Sequence, residues 1–429
     1  MISLMEAGEF RRTFLAAERF PELNPKVAEA AAAVLEEVRR GGDAAVSRAT
    51  RRFDKVSVEP GRTRISPEEI SEALEAADPS LIEAIDSSIA RVRRYHRLQR
   101  TPGFADVMGD GTVAGQLIRP LARVGLYVPG GRAAYPSSLI MSAVPARVAG
   151  VPKIAAFTPP GSDGRIASAV LVTAGLLGIE ELHRVGGVQA VAAMAYGTET
   201  IEPVDKIVGP GNSYVTAAKK LVLGVVGIDG IAGPSEVAVI CDDSADTERV
   251  ALDLLAQAEH DPEARCYLLC TDEAKAREVM RTLERVGPEM SRWEIISAAL
   301  EDWGGAVVAP EGELWDLVNA IAPEHLSIQT RDPWAGLSRV QNAGAVFLGS
   351  ATAVSFGDYS AGPNHVLPTA GTARYASPLS VGDFVKRSSY LYLSESAAGG
   401  ISSQTSRLAE EEGLTAHAEA ARARGSENT

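Results

Sequence analysis

The histidines are the first residues to examine, because the chain has only six of them and an imidazole can bind a metal or move a proton near neutral pH. Four stand in polar segments flanked by turns or helix ends: LLAQAEHDP, IAPEHLSIQ, GDYSAGPNHVLPT and EGLTAHAEA. These segments contain His260, His325, His365 and His417. The other two, His96 in RVRRYHRLQR and His183 after a pair of glutamates, are predicted to lie on the surface.

The segment LLAQAEHDP could supply part of a metal site. Apolar residues recur at helical spacing through it, so we predict a helix over residues 246–260. Gln257 and His260 lie three positions apart at its end, and both side chains could reach one cation. Asp358 in FGDYSAG and the distant His417 would complete a set of nitrogen and oxygen donors that suits zinc. Structural roles stay open, since a histidine at a helix end often interacts with the dipole and an aspartate beside glycine often caps a turn.

An acid and an imidazole stand side by side after a proline, at Glu324 and His325. An imidazole with its ordinary pKa of about 6.5 can take a proton from an alcohol near neutral pH. A carboxylate beside it can activate water. The dipeptide therefore fits general acid–base chemistry, with a purely structural role as the alternative.

The usual sequence motif for binding a nicotinamide cofactor is Gly-x-Gly-x-x-Gly between a strand and a helix, and this chain lacks that motif. The nearest candidates are the turn Gly209-Pro210-Gly211-Asn212 and the pair Gly130-Gly131. Both allow close approach of a ligand to the backbone, but neither is diagnostic.

The surrounding elements predict an α/β protein. Residues 24–100 have helical periodicity, and residues 124–239 alternate short Val/Ile/Leu runs with glycine turns and helices. A second alternation follows, with strands expected at EVAVICDD, ARCYLLCTD, GAVVA and GAVFLG. Such alternation is typical of parallel sheets. In the tail, YLYLS suggests a short strand and residues 403–424 an exposed helix, too polar to bury much surface alone.

Composition restricts the possible partners. The net charge of −14 and pI of about 5.1 disfavour nucleic acid and anionic membranes. No apolar run is long enough for a secretory signal or a membrane span, so we expect a cytoplasmic protein. Cys266 and Cys270 are predicted to be core thiols rather than a disulfide or a catalytic pair.

One long segment resembles a known family. The stretch IDGIAGPSEVAVICDDSADTERVALDLLAQAEH, residues 228–260, is similar to the signature of the histidinol dehydrogenases. Further similar segments follow in the family's order over nearly the whole chain: GLYVPGG, AAYPSSLIM, GGVQAVAAMAYGT, VDKIVGPGN, APEHL, NHVLPTAGTAR and EGLTAH.

The resemblance implies roles for individual residues. It implies zinc bound by Gln257, His260, Asp358 and His417, with His325 as the general base and Glu324 activating water. The implied NAD contacts are Tyr127, Gln189 and Asn212. The implied substrate contacts are Ser235, Gln257, His260, His325, Asp358, His365, Glu412 and His417. The implied reaction oxidises L-histidinol through an aldehyde to L-histidine and consumes two NAD.

The resemblance also implies an architecture of two incomplete Rossmann-like α/β domains with parallel sheets, and terminal segments that interleave in a homodimer. We expect residues 1–23 to form an N-terminal helical arm and residues 24–126 with 236–379 a first domain that carries the zinc and catalytic residues. Residues 127–235 would form a second, NAD-binding domain and residues 380–429 a dimerisation segment. His417 and Glu412 would then serve the neighbouring subunit.

Two alternatives compete with this interpretation. A related dehydrogenase on the same scaffold could oxidise another polar alcohol such as a sulfonated diol, although Glu412 would repel an anionic substrate. A zinc hydrolase could use a His/Asp metal site and Glu324 without a redox cofactor.

Overall fold

The computed structural model of the chain describes residues 2–15, 24–130 and 134–425. Contacts divide it into two units, Met1–Gln99 with Leu121–Phe384 and Arg100–Pro120 with Val385–Thr429. The strands are β1 (Ser3–Met5), β2 (Phe104–Val107), β3 (Thr112–Pro120), β4 (Arg123–Tyr127), β5 (Lys153–Thr158), β6 (Glu181–Arg184), β7 (Lys206–Val208), β8 (Gly227–Ile228), β9 (Glu236–Cys241), β10 (Arg265–Cys270), β11 (Gly304–Val308), β12 (His325–Gln329), β13 (Ala345–Leu348) and β14 (Val385–Leu393).

The helices alternate with these strands. They are α1 (Ala7–Phe10), α2 (Pro25–Phe53), α3 (Pro67–Glu75), α4 (Pro79–Arg97), α5 (Pro136–Ala149), α6 (Ser168–Leu177), α7 (Gly187–Tyr196), α8 (Ser213–Val222), α9 (Thr247–Ala258), α10 (Glu273–Val286), α11 (Trp293–Asp302), α12 (Glu311–Ile321), α13 (Pro333–Leu337), α14 (Val354–Tyr359), α15 (Glu395–Glu411) and α16 (Thr415–Arg422). No helix in the described ranges is both long and apolar enough to cross a membrane.

A six-stranded parallel sheet has the order β1-β11-β10-β9-β12-β13. Its centre is β9, EVAVIC, in which every residue is buried. A strand buried on both faces needs an unbroken apolar run, which is why the pattern was readable from sequence. One face of the sheet packs against α9, α10 and α11 and the other against α1 and α12. The predicted α/β fold with parallel sheets is confirmed.

A five-stranded parallel sheet has the order β6-β5-β4-β7-β8. In this sheet β4 is central, with β5 and β6 on one side and β7 and β8 on the other. The six-stranded sheet has the same order around β9, with β10 and β11 on one side and β12 and β13 on the other. Helices α2, α7 and α8 cover one face and α4, α5 and α6 the other. The sequence prediction assigned residues 24–126 to the domain of the six-stranded sheet. Helices α2 and α4 instead bury their apolar faces on the five-stranded sheet, where α2 packs against α7 and α8 and α4 packs against α5.

The N-terminal segment contains more than the expected helical arm. Strand β1 pairs in parallel with β11 as the outermost strand of the six-stranded sheet. Helix α1 follows and continues as a π-helical turn over Arg11–Leu15. Phe10 is buried and packs edge-on against Tyr267, with ring centroids 5.1 Å apart. Residues 16–23 of the predicted arm lie outside the described residues.

The second unit is small. Its antiparallel sheet has the order β14-β3-β2, and β14 contains the strand predicted at YLYLS. The single helix expected over residues 403–424 is two helices, α15 and α16, because the chain turns at Gly413 with φ +74°. Two apolar side chains of β14, Leu391 and Tyr392, are 66% and 63% exposed.

Two histidines predicted to be on the surface are buried. His96 is fully buried at the end of α4, where its Nδ1 lies 2.7 Å from Gln99 Oε1. His183 is buried on β6, 2.9 Å from the Thr63 hydroxyl, and stacks on Phe157. Thr63 is 120 residues from His183, and the Nε2 of His96 meets Asn364, 268 residues away, so local sequence concealed the burial of both histidines. The prediction for the cysteines is confirmed, since all three are free and buried.

Candidate functional site

The adjacent residues Glu324 and His325 lie where the chain enters β12. Helix α12 ends at Ala322, which has a left-handed backbone (φ +53°), and Pro323 leads into the strand. Both side chains are buried. The backbone of Glu236, at the start of the neighbouring β9, holds them: its N–H donates to Glu324 Oε2 at 2.9 Å and its carbonyl lies 3.1 Å from His325 Nδ1. The pair is therefore fixed by main-chain atoms of the central strand.

The hydrogen bond to a carbonyl decides the tautomer of His325. A carbonyl oxygen only accepts, so Nδ1 carries the hydrogen and Nε2 is the site of proton uptake. Nε2 is buried and makes no hydrogen bond within the described residues. Its nearest acid is Asp358, with Oδ1 3.5 Å away. Burial works to lower the pKa of His325, but the carboxylates of Glu324 and Asp358 outweigh it and raise the pKa to about 9.

Glu324 is buried beside this imidazole. Its Oε2 lies 3.7 Å from His325 Nδ1, and the nearby Ser235 side chain acts to lower the pKa of the carboxyl group. Burial raises the pKa of Glu324 above its ordinary value, although His325 opposes the shift. A carboxyl group shifted upward is a better proton acceptor near neutral pH than an ordinary glutamate.

Asp358, in the last turn of α14, is the meeting point of three imidazoles. Burial works to raise its pKa, but the charges of His325, His365 and His260 outweigh that effect and lower it. His365 is oriented by a contact of 2.7 Å between its Nδ1 and the Asp358 carbonyl. His260 keeps solvent access just beyond the end of α9 and interacts electrostatically with Asp358 and His325. The structure thus brings together five of the predicted site residues: Glu324, His325, Asp358, His365 and His260.

These residues fit a cation. Gln257 is buried in the last turn of α9, and its Nε2 has no hydrogen-bond partner among the described residues. The two ends of an amide are assigned only from their partners, so the oxygen could equally face the unpartnered side. Gln257, His260 and Asp358 would offer oxygen and nitrogen donors at the C-terminal end of a helix, where the dipole favours positive charge. No group of three or more His, Cys, Asp and Glu side chains in the described chain forms a metal site alone.

The remaining predicted ligand and a predicted substrate contact lie in the second unit. His417 is on α16 and Glu412 ends α15. Both side chains are exposed, and neither has a hydrogen bond or ion pair with another described residue of the chain. Their assignment to the site stays a prediction.

The predicted cofactor contacts lie at the carboxyl edge of the five-stranded sheet. Tyr127 ends β4, and Asn212 follows the adjacent β7. The strand order reverses between these two strands, which is where open α/β sheets bind ligands. The Tyr127 hydroxyl accepts from Gly187 N at 3.0 Å, and Gln189 Nε2 donates to Asp54 at 3.1 Å. The Oε1 of Gln189 is buried without a partner in the described structure.

An ion pair holds the turn after β7. Lys219 of α8 is buried, pairs with Asp229 and donates to the Gly209 carbonyl at 2.9 Å. Asp229 Oδ2 accepts from Gly209 N at 2.7 Å. Gly209 has φ +117°, and a Cβ there would collide with the Tyr127 carbonyl. Asn212 then starts α8 by accepting from two backbone N–H groups, each at 3.1 Å. The turn is thus held by several hydrogen bonds and packs closely on β4.

Sequence reasoning missed several residues that support these sites. Glu236 acts through its backbone, which no side-chain pattern can reveal. Asp54 accepts a hydrogen bond from Gln189, but in the sequence it is one of many acids near a helix end. Asp253 did carry a signal, because it is an acid on the apolar face of α9, four positions before Gln257. A buried carboxylate on such a face usually has a specific partner.

Comparison with known proteins identifies the family. The sequence profile of histidinol dehydrogenase matches residues 18–425. The chain is 49% identical to the histidinol dehydrogenase of Moorella thermoacetica over 388 residues, covering 90% of this chain and 92% of that protein. It is 48% identical to that of Methanothermobacter thermautotrophicus over 392 residues, with coverage of 91% and 92%.

Solved structures agree. The crystal structure of histidinol dehydrogenase from Elizabethkingia anophelis superposes with a TM-score of 0.93 at 35% identity, covering 99% of this chain and 97% of that chain. Sequence and fold both match along nearly the full length. The chain belongs to the histidinol dehydrogenase family and is an oxidoreductase that acts on a CH–OH group.

Proposed function

We propose that the chain carries out the zinc- and NAD-dependent, four-electron oxidation of L-histidinol through L-histidinaldehyde to L-histidine. The observation that carries the proposal is the state of His325: Nδ1 is bound to a carbonyl, and Nε2 is buried without a hydrogen-bond partner in the described chain, beside Asp358. In the neutral form of the ring, a nitrogen in this state can accept the proton of a substrate hydroxyl.

In the first oxidation, His325 Nε2 takes the proton of the alcohol. The two carboxylates that face the ring, Glu324 and Asp358, stabilise the resulting imidazolium. In the second, Glu324 accepts a proton from the water that attacks the aldehyde. The Glu236 N–H donates to its carboxylate and keeps it in place.

Gln257, His260 and Asp358 would hold zinc, and Tyr127, Gln189 and Asn212 would contact NAD. Bound zinc would supply a positive charge that orients the substrate and compensates Asp358, and bound NAD would accept the two electrons removed in each oxidation. Compensation at Asp358 would bring the pKa of His325 down from about 9 toward a value suited to a base. Ser235 and His365 would contact the substrate.

A second copy of the chain would complete the site with His417 and Glu412. Both side chains are exposed and unpaired within the described chain, as expected of groups that act on a neighbour. The exposed Leu391 and Tyr392 on β14 offer apolar surface for a dimer. A carboxylate at Glu412 would accept a hydrogen bond from the substrate imidazole. We place the reaction in the cytoplasm, where the three free thiols would stay reduced.

The direct test follows NADH absorbance after L-histidinol and NAD are mixed with the purified protein. Two NADH per histidinol are expected, and one would deny the second oxidation. Absence of NADH would refute the proposal and return attention to a hydrolase. A sulfonated diol serves as the alternative substrate and should give no NADH. Chelator-treated protein should lose turnover and regain it with added zinc.

A further inference from the structure

A buried carboxylate connects the three elements that carry the proposed metal ligands and base. Asp253, in the middle of α9, is 6% exposed. Its Oδ2 accepts from Gln329 Nε2 at 2.9 Å and from the Ser327 hydroxyl at 3.3 Å, both on β12. Its Oδ1 accepts from Val354 N, the first residue of α14, at 3.4 Å. One side chain therefore binds α9 to β12 and to α14.

The positions of these contacts relate Asp253 to the site. On α9, Asp253, Gln257 and His260 follow at intervals of four and three, so they share one face of the helix. On β12, His325, Ser327 and Gln329 alternate and share one face of the strand. Along this pair of faces the Asp253 contacts lie at one end, and the proposed ligands and base at the other.

The same geometry extends to α14. Asp358 lies four residues, about one helical turn, after Val354. The bond from Val354 N to Asp253 therefore fixes the start of the helix whose last turn carries Asp358. Sliding α9 along β12, or tilting α14, would change the distances between the ligand candidates and His325.

Stability alone does not explain this carboxylate. Asp253 forms no ion pair within the described chain, and burial raises its pKa. An acid buried without a cation is costly to keep, and an apolar residue in its place would avoid that cost. What the acid supplies that an apolar residue would not is a fixed register between helix and strand.

We propose that Asp253 is a positioning residue that sets the register of α9 and α14 against β12 and so preassembles the metal site. The inference rests on the proposed function, because it takes Gln257, His260 and Asp358 as zinc ligands. It assigns Asp253 no contact with metal or substrate.

The test measures zinc affinity of the purified full-length protein by competition with a chromophoric chelator, alongside the thermal unfolding midpoint. Asp253→Ala should lower zinc affinity about tenfold or more, the range typical of residues that orient ligands. Asp253→Asn should stay within about threefold, because an amide oxygen can still accept from Gln329 or Val354, and its NH₂ can donate to Gln329 Oε1, which is unpartnered in the described chain.

The matched control is Val279→Ala, in α10 on the same face of the sheet, which removes buried volume without touching this network. It should lower the unfolding midpoint and leave zinc affinity within about twofold. Should Asp253→Ala fail to fold, the double variant Ser327→Ala with Gln329→Leu removes both contacts on the strand side and should show the same loss of zinc.

Zinc affinity within twofold of wild type in the variants that remove these contacts would overturn the inference. An equal loss of affinity in Val279→Ala would also overturn it, since the effect would then follow stability. A wild-type protein that binds no zinc would overturn the metal site of the proposed function and this inference with it. Tight zinc binding that survives Asp253→Ala would remove only the inference.

Discussion

The buried pair Lys219–Asp229 permits a quantitative prediction about the turn after β7. Replacing Lys219 with methionine keeps most of the side chain's length but removes its charge. Among the described residues, the buried Asp229 side chain then keeps two backbone donors, Gly209 N at 2.7 Å and Gly230 N at 2.8 Å. The Gly209 carbonyl also loses its bond of 2.9 Å from the ammonium group. The variant therefore leaves the Asp229 carboxylate without the ammonium group that neutralises it.

The size of the effect follows from these partners. Removing one member of a buried ion pair typically costs about 3 to 5 kcal/mol. The two backbone bonds that Asp229 keeps place the cost at the lower end, about 3 kcal/mol, which is roughly 150-fold in an opening equilibrium. Adding Asp229→Asn removes the isolated charge while keeping an acceptor for Gly209 N. The double variant should recover about 1 to 2 kcal/mol of the loss.

Hydrogen exchange at the Gly209 amide is the appropriate assay, because this amide exchanges only when its bond to Asp229 opens. Lys219→Met should speed exchange roughly 150-fold, and the double variant should slow it again. The KM for NAD should rise several-fold while the KM for L-histidinol is unchanged, since the turn leads to Asn212. Exchange within threefold of wild type in Lys219→Met, or no recovery in the double variant, would refute this account.

Three further predictions concern single side chains. Burial raises the pKa of Asp54 to about 6, opposed by the bond from Gln189, so the folded state favours the protonated acid. The stability that comes from protonating Asp54 is fully present at low pH and is lost as the pH rises through 6. Replacing Asp54 with Asn should therefore stabilise the protein more at pH 8 than at pH 5, by about 1 kcal/mol after allowing for partial exposure. If the change in urea midpoint between wild type and Asp54→Asn were the same at both pH values, this prediction would be contradicted. His325→Asn should keep zinc and substrate binding in equilibrium assays but lose most turnover, and unchanged kcat would exclude His325 as the base. Glu412→Gln should raise the KM for L-histidinol without changing the affinity for NAD, and a defect confined to NAD would count against the assigned contact.

The fold was predictable where local pattern and burial coincide. Residues 237–241 of β9 are all apolar because both faces of a central parallel strand are covered, and α9 has the periodicity of a helix packed on one side. The predicted boundaries of α9, residues 246–260, agree with the observed Thr247–Ala258 to within two residues. The grouping of α2 and α4 with the other sheet could not be predicted, since both sheets present similar apolar surfaces and only tertiary contacts choose between them.

The site was predictable only in part, for a related reason. Glu324, His325 and Asp358 could be identified from the sequence because each is a polar residue next to a proline or glycine turn. The structure brings the three side chains together. His96 was misjudged because its Nε2 meets Asn364, 268 residues away in sequence. Asp253 depends likewise on Ser327 and Gln329. A residue whose partners lie far along the chain carries no local mark of its role.

Strand β1 has a consequence for handling the protein. It is only three residues long, yet it covers the side of β11 where backbone N–H and C=O groups would otherwise stay unpaired. Loss of residues 2–5 would make β11, GGAVV, the outermost strand and open an apolar template for pairing with other molecules. By pairing with β11, strand β1 therefore lowers the tendency of the sheet to pair with other molecules. Any segment fused before β1 should leave it free to pair with β11.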